Sequence, residues 1–226
     1  MLIEYKNVDI FQSDCHILHV DDFSVDEGEF VYIIGKVGSG KSSLLKTFYC
    51  EVDIPETGLT FEENALQKAQ YVKTHYGLNC FADDSGMEVE ALGGEPGIYS
   101  ARYAKMHGRE VTPETRDDIN MDVLIERLEA LNPRYGTLAS ARILSPAQFR
   151  TCIALLYKGE THYFDGIVSG NIIDQKRGTE GFGYDPIFVP DGFEETFAQL
   201  GNETKNGISH RARAVHKLEA FFNSHK

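Results

Sequence analysis

Phe81-Ala82-Asp83-Asp84-Ser85-Gly86-Met87 is the stretch on which the reading of this chain turns. An apolar approach, Leu78 to Ala82 broken by Asn79, runs straight into two adjacent carboxylates, a hydroxyl and a glycine. That order suits a buried strand whose tip carries chemistry, because ligands of α/β sheets gather outside the carboxyl ends of the strands. Two neighbouring aspartates repel each other. Keeping both ionised calls for a cation, most simply Mg2+ on hard oxygen ligands. The competing reading is an Asp-Asp-Ser-Gly turn closing a hairpin, and the heptapeptide alone favours neither.

Working outward, Thr60 caps a helix with Glu63 completing a capping box, Phe61, Ala65, Leu66, Ala69 and Val72 form its apolar stripe, and Gly77 stops it. Downstream, Gly93 to Tyr103 is a Gly/Pro loop too rich in aromatic and basic groups to be a mere linker. Thr112-Pro113 opens a helix carrying Ile119, Val123, Leu124, Leu128 and Leu131. Phe149 to Tyr157 and Thr161 to Ile173 read as a hairpin around Lys158-Gly159-Glu160. Gly178 to Gly183 leads into a strand at Tyr184 to Val189, and a last helix places Ala214, Leu218 and Phe221 on one side.

The front of the chain has a different character. Leu2 to Val8 and Ile10 to Phe23 alternate like half-buried strands, and Phe30 to Ile34 is a β-prone run. It feeds Gly35-Lys36-Val37-Gly38-Ser39-Gly40-Lys41-Ser42, a full G-x-x-x-x-G-K-S/T match, and then a helical stretch to Tyr49. Strand, glycine loop and helix are the context in which backbone amides cradle phosphate, with Lys41 as point charge. Residues 1–50 resemble the amino-terminal P-loop fragment of an ATP-binding cassette ATPase. Past Ser42, however, no apolar run ends in Asp-Glu, and Leu144-Ser145-Pro146-Ala147-Gln148 replaces the glycines of L-S-G-G-Q. A P-loop without those partners holds phosphate with no evident route to hydrolysis.

Bulk properties narrow the class. The 226 residues suit one domain or two small ones, and a formal charge of -13 disfavours nucleic acid or an anionic membrane as partner. Cys15, Cys50, Cys80 and Cys152 contain no C-x-x-C pair, so free thiols in a reducing, cytoplasmic setting are expected. Met1 to Lys6 does not read as a signal peptide, and no apolar run approaches the ~20 residues of a membrane span.

Taken together, Asp53 to Thr57, Thr60 to Ala65, Phe81 to Met87, Pro96 to Tyr103, Phe182 to Phe188 and Ile208-Ser209-His210-Arg211 resemble one family, the inosine/xanthosine triphosphate (dITP/XTP) pyrophosphatases. The likeness runs over about residues 51–226. It implies an α/β fold in which a long mixed sheet is flanked by helices, with two lobes and a central nucleotide cleft. It also implies Mg2+-dependent cleavage of ITP, dITP and XTP to monophosphate and pyrophosphate by a cytoplasmic homodimer. The family's first strand, S/T-G-N-x-x-K loop and helix are missing from the pattern, so the chain divides into a P-loop fragment, 1–50, and a pyrophosphatase domain, 51–226. Phe30 to Tyr49 is itself strand, glycine loop and helix, which would bring Gly40-Lys41 near the position of the family's loop lysine.

By the same resemblance, Glu56 and Asp84 ligate Mg2+, Asp84 is the base, and Asp83 orders the water. Ser85 contacts phosphate, Phe182 stacks on the purine, and Gly183, Tyr184, Asp185 and Lys205 complete the substrate contacts; Lys41 is a further phosphate contact by the P-loop pattern. His210 and Arg211 read the base. A guanidinium has donors only, so it accepts a 6-keto purine and meets the 6-amino group of adenine donor to donor. Two alternatives stand beside this reading: an ATP-binding module of cassette type, or a folded but inactive nucleotide-binding chimera.

Overall fold

The computed structural model describes residues 3–12, 15–25, 54, 56–132, 135–138 and 140–225. The P-loop stretch 35–42, its flanking strand and helix, and Lys41 lie outside the described residues. Two compact units divide the chain, Met1–Ile54 and Pro55–Lys226. In the first, β1 (Ile3–Gln12) and β2 (Cys15–Val25) pair antiparallel, with Asp9 opposite His19.

The second unit is built on a sheet of order β4-β3-β6-β7-β8: β3 (Cys80–Val89), β4 (Pro96–Gly97), β6 (Ala141–Tyr157), β7 (Glu160–Ile173) and β8 (Phe188–Pro190), with β5 (Thr137–Leu138) beside β6. Helices α1 (Phe61–Tyr76), α2 (Tyr103–Met106), α3 (Arg116–Ala130), α4 (Phe197–Ile208) and α5 (His210–Ser224) complete it. The α/β class is the expected one, and every pairing among the described residues is antiparallel. No helix among the described residues is long and apolar enough to cross a membrane.

Local chemistry accounts for the elements. Thr60 Oγ1 accepts from Glu63 N at 3.1 Å to start α1, and Gly77 closes it in the left-handed region at φ 71°. Lys158 and Gly159, both at positive φ, form the two-residue turn between β6 and β7. Ser209 Oγ accepts from Ala212 N at 3.2 Å and starts α5. Inside α4, Gly201 at φ 75° breaks the helical path, a conformation few other residues accept.

Three expectations are corrected. Asp83 and Asp84 do not lie in a turn beyond a strand tip; β3 runs through them to Val89, in register with β6. Successive side chains of a strand point to opposite faces, so the two acids separate without a cation between them. β6 begins at Ala141 and not near Phe149: a bulge between Ile143 and Ser145 lets Pro146 enter the strand. Tyr184 to Val189 is not all strand, since Pro186 sits in a 3-10 turn over Asp185–Ile187 before β8.

The faces of the sheet are covered differently. Cys80 and Asp84 of β3 meet α1, while Ile153, Leu155, Phe81 and Phe164 pack with Ala214 and Leu218 of α5. Further along, Met87, Phe149 and Phe188 join Leu124 and Leu128 of α3 and Phe197 of α4 in the larger cluster. Where α5 begins, the sheet is pared to Gly166: a Cβ there would stand 1.9 Å from His210 O. That approach sets α5 close against β7.

Candidate active site

One end of the site forms where α1 crosses β3. Asn64 and Lys68 are four residues apart, so they share the face of α1 turned to the sheet. Asn64 Nδ2 donates to Asp84 Oδ2 at 3.0 Å, and Lys68 Nζ lies 3.4 Å from Asp84 Oδ1. The same ammonium donates to Glu56 Oε1 at 2.9 Å, and Arg102 Nη1 reaches Glu56 Oε2 at 3.4 Å. The loop carrying Glu56 is itself tied to the helix start, because Gly58 N donates to Asn64 Oδ1 at 2.8 Å. Burial pushes both carboxyls up. At Asp84 it prevails over Lys68 and Asn64, so the group sits above the ordinary range. At Glu56, Lys68 and Arg102 outweigh it and hold the group below.

Two hard carboxylates brought to one ammonium form a donor set fit for a divalent cation. A second set, Glu62, Cys152 and Asp165, also converges. There Arg150 already pairs with Glu62 and lies 2.7 Å from Asp165 Oδ1, while burial pushes the Cys152 thiol up to about 12. A single guanidinium, Arg150, thus spans both carboxylates of that set.

The other face of β3 is read by α5. Arg211 Nη2 donates to Ser85 Oγ at 2.8 Å and Nε to Asp83 Oδ2 at 3.3 Å. Its guanidinium lies 5.6 Å from the centre of the Phe182 ring, and Lys205 Nζ only 4.2 Å away from it. Phe182 is 46% exposed, whereas a core aromatic would be covered. Behind it, Lys205 and Asp185 form a buried ion pair, and Asp185 Oδ2 also accepts from Phe182 N at 2.8 Å. Burial raises Asp185 above the ordinary carboxylate range despite Lys205.

His210 is 4% exposed and stacks on Phe149 with ring centres 4.9 Å apart. Its Nδ1 finds no partner among the described residues. Burial, reinforced by Arg211 and Lys205, pushes the imidazole from 6.5 down to about 3, so it is neutral at pH 7. The unfolded chain takes up this proton first as pH falls. The stability due to the neutral ring is therefore full above 6.5 and drains between 6.5 and 3, at up to about 1.4 kcal/mol per pH unit. Urea unfolding at pH 7 and pH 5 should reveal that slope. His210→Phe, which keeps the stack, is expected to flatten it.

Comparison with known proteins places this geometry. A model of the Ham1 family matches residues 28–221. The chain belongs to the Ham1 family. It is 45% identical over 179 residues to a dITP/XTP pyrophosphatase of Christiangramia forsetii, covering 79% of this chain and 85% of that one. To the dITP/XTP pyrophosphatase of Flavobacterium johnsoniae it is 47% identical over 174 residues, 77% and 81% of the two chains. Among solved structures, the Staphylococcus aureus Ham1 protein superposes with a TM-score of 0.68 at 40% identity, covering 80% and 86%. The Ham1 match begins at residue 28 and runs through the glycine loop, so the likeness of residues 1–50 to a cassette ATPase is not borne out.

Within this Ham1 chain the structure gathers the residues read from sequence into two groups. Glu56 and Asp84 meet at Lys68; Asp83, Ser85, Phe182, Asp185 and Lys205 gather with Arg211, and His210 begins the helix that carries it. Asp83 is not brought to the face of Asp84. Tyr184 is buried, and its hydroxyl donates to Ser100 O at 2.9 Å, which makes it a structural tie. Sequence reasoning missed Asn64, Lys68 and Arg102. The signal for the first two was a polar pair at helical spacing on an otherwise apolar face; for Arg102 it was the basic group in the Gly/Pro loop Gly93 to Tyr103.

Proposed function

We propose that this Ham1-family chain is a hydrolase of acid anhydrides that cleaves ITP, dITP and XTP to monophosphate and pyrophosphate, clearing aberrant purines from the nucleotide pool. The relatives named dITP/XTP pyrophosphatase support it. The observation that carries it is the half-exposed Phe182 ring backed by the donor-only groups of Lys205 and Arg211. A purine stacked there would meet donors suited to a 6-keto oxygen and mismatched to a 6-amino group. Arg211 engages Asp83 and Ser85 through Nε and Nη2, which leaves further N–H groups for the base.

At the other end, water attacks the α-phosphorus, the bond to the α–β bridging oxygen breaks, and pyrophosphate departs. Asp84 takes the proton of the water; its raised, buried carboxyl suits a base. Lys68 and Arg102 hold the acids and offer cationic charge to phosphate oxygens. Glu56 and Asp84 would hold Mg2+, which when bound would offset part of the triphosphate charge. Ser85 and Asp83 orient Arg211. In this reading residues 51–226 carry the activity. Lys41 is assigned to phosphate on its sequence pattern alone. A cytoplasmic homodimer without nucleic-acid partners completes the proposal, in keeping with the charge of -13 and the free Cys80 and Cys152 thiols.

The products test it. Phosphorus NMR of ITP incubated with enzyme and Mg2+ should record inosine monophosphate and pyrophosphate growing in equal amounts. Release of orthophosphate with the diphosphate would mean attack at the γ-phosphorus and overturn the assignment.

A further inference from the structure

Two successive amides of the loop that presents Phe182 are held by carboxylates from different parts of the chain. Phe182 N donates to Asp185 Oδ2, inside the loop, at 2.8 Å. Gly183 N donates at 2.9 Å to Oδ2 of Asp117, 66 residues away in the first turn of α3. The other oxygen of that carboxylate, Oδ1, accepts from Arg116 Nε at 3.0 Å, so the group is oriented and not free to swing.

The helix that offers Asp117 is itself anchored. One turn on, Asn120 is buried; its Oδ1 accepts from Ala104 N at 2.7 Å and its Nδ2 donates to Ser100 O at 3.2 Å. Ser100 O is also the acceptor for the Tyr184 hydroxyl, so loop and helix share a fixed point. Phe182 is thereby gripped through its own amide and the next one while its ring stays exposed.

We propose that Asp117 is a positioning residue for base recognition, holding Gly183 so that the Phe182 ring keeps its place against Lys205 and Arg211. This rests on the function proposed above. Asp117 touches neither phosphate-binding acid, so it acts on how the base is held and not on the chemical step.

Asp117→Ala and Asp117→Asn, each made in the wild-type and Phe182→Ala backgrounds, test it by steady-state kinetics with ITP and Mg2+. Asp117→Ala is expected to raise KM about tenfold with kcat within about twofold, the size of one positioning hydrogen bond. Asp117→Asn keeps an acceptor oxygen and should restore most of the loss. In the Phe182→Ala background Asp117→Ala should add nothing, because the ring it positions is gone. An unchanged KM, a loss confined to kcat, or the same loss without the Phe182 ring would overturn the proposal. A fluorine label on the ring of residue 182 gives a readout independent of turnover. If the wild type fails to cleave ITP, the functional reading falls, yet a resonance shifted by Asp117→Ala still upholds the positioning contact, and an unmoved one removes it.

Discussion

Asp84→Asn is expected to reduce ITP turnover by about a thousandfold or more while the protein stays folded. The side chain keeps its shape, but it loses the charge that, in the proposed mechanism, takes a proton from water, a role worth about 10²–10⁴ in rate. It also loses a carboxylate from the pair gathered around Lys68. Loss of base and ligand falls on one residue, so the two effects act as a unit and are not to be added. In the folded protein Asp84 receives Asn64 Nδ2 on one oxygen and Lys68 Nζ on the other. An amide satisfies one donor and turns its own NH2 towards the second, at a cost of about 1–3 kcal/mol. Circular dichroism and thermal unfolding establish that the variant is folded. Rates within tenfold of wild type would remove Asp84 from the chemistry.

Lys205→Met is expected to produce the largest loss of stability among the site residues. Lys205 and Asp185 are 8% and 2% exposed at the side chain and pair with each other. Taking away the cation strands a buried carboxylate, a change that costs about 3–5 kcal/mol. Asp185 already sits above the ordinary range through burial, and without Lys205 it is driven higher. For a unit of this size each kcal/mol moves Tm by about 2–4 °C, so a fall of about 6–20 °C is expected. Adding Asp185→Leu to Lys205→Met removes the stranded charge and should recover much of that loss, without recovering ITP turnover. A single variant as stable as wild type would mean that the pair contributes nothing to the fold.

What could be read from the sequence follows how local each cause is. Thr60 and Gly77 delimit α1 by contacts within one or two turns, and they were legible, whereas the Glu63 carboxylate accepts from Leu59 N and does not close the expected capping box. So was the Lys158-Gly159 turn between β6 and β7. Asp83-Asp84 misled because a paired acid signals a turn, whereas here the strand continues and each acid finds its cation on a separate helix, Arg211 of α5 and Lys68 of α1. Those partners lie far away in sequence. The bulge that admits Pro146 to β6 depends on pairing with β7 and was equally hidden. Glu56 and Asp84 were named from the resemblance, and their convergence at Lys68 required the fold. Asp117 was not legible at all, since its role is a bond across 66 residues.

Base selectivity tests the account most directly: initial rates with ITP and ATP, measured side by side in Mg2+ and again with excess chelator. The account predicts kcat/KM for ITP at least about a hundredfold above ATP, the discrimination that donors facing an amine in place of a keto oxygen can supply, with both rates lost to the chelator. Equal rates for the two nucleotides, or a preference for ATP, would contradict it.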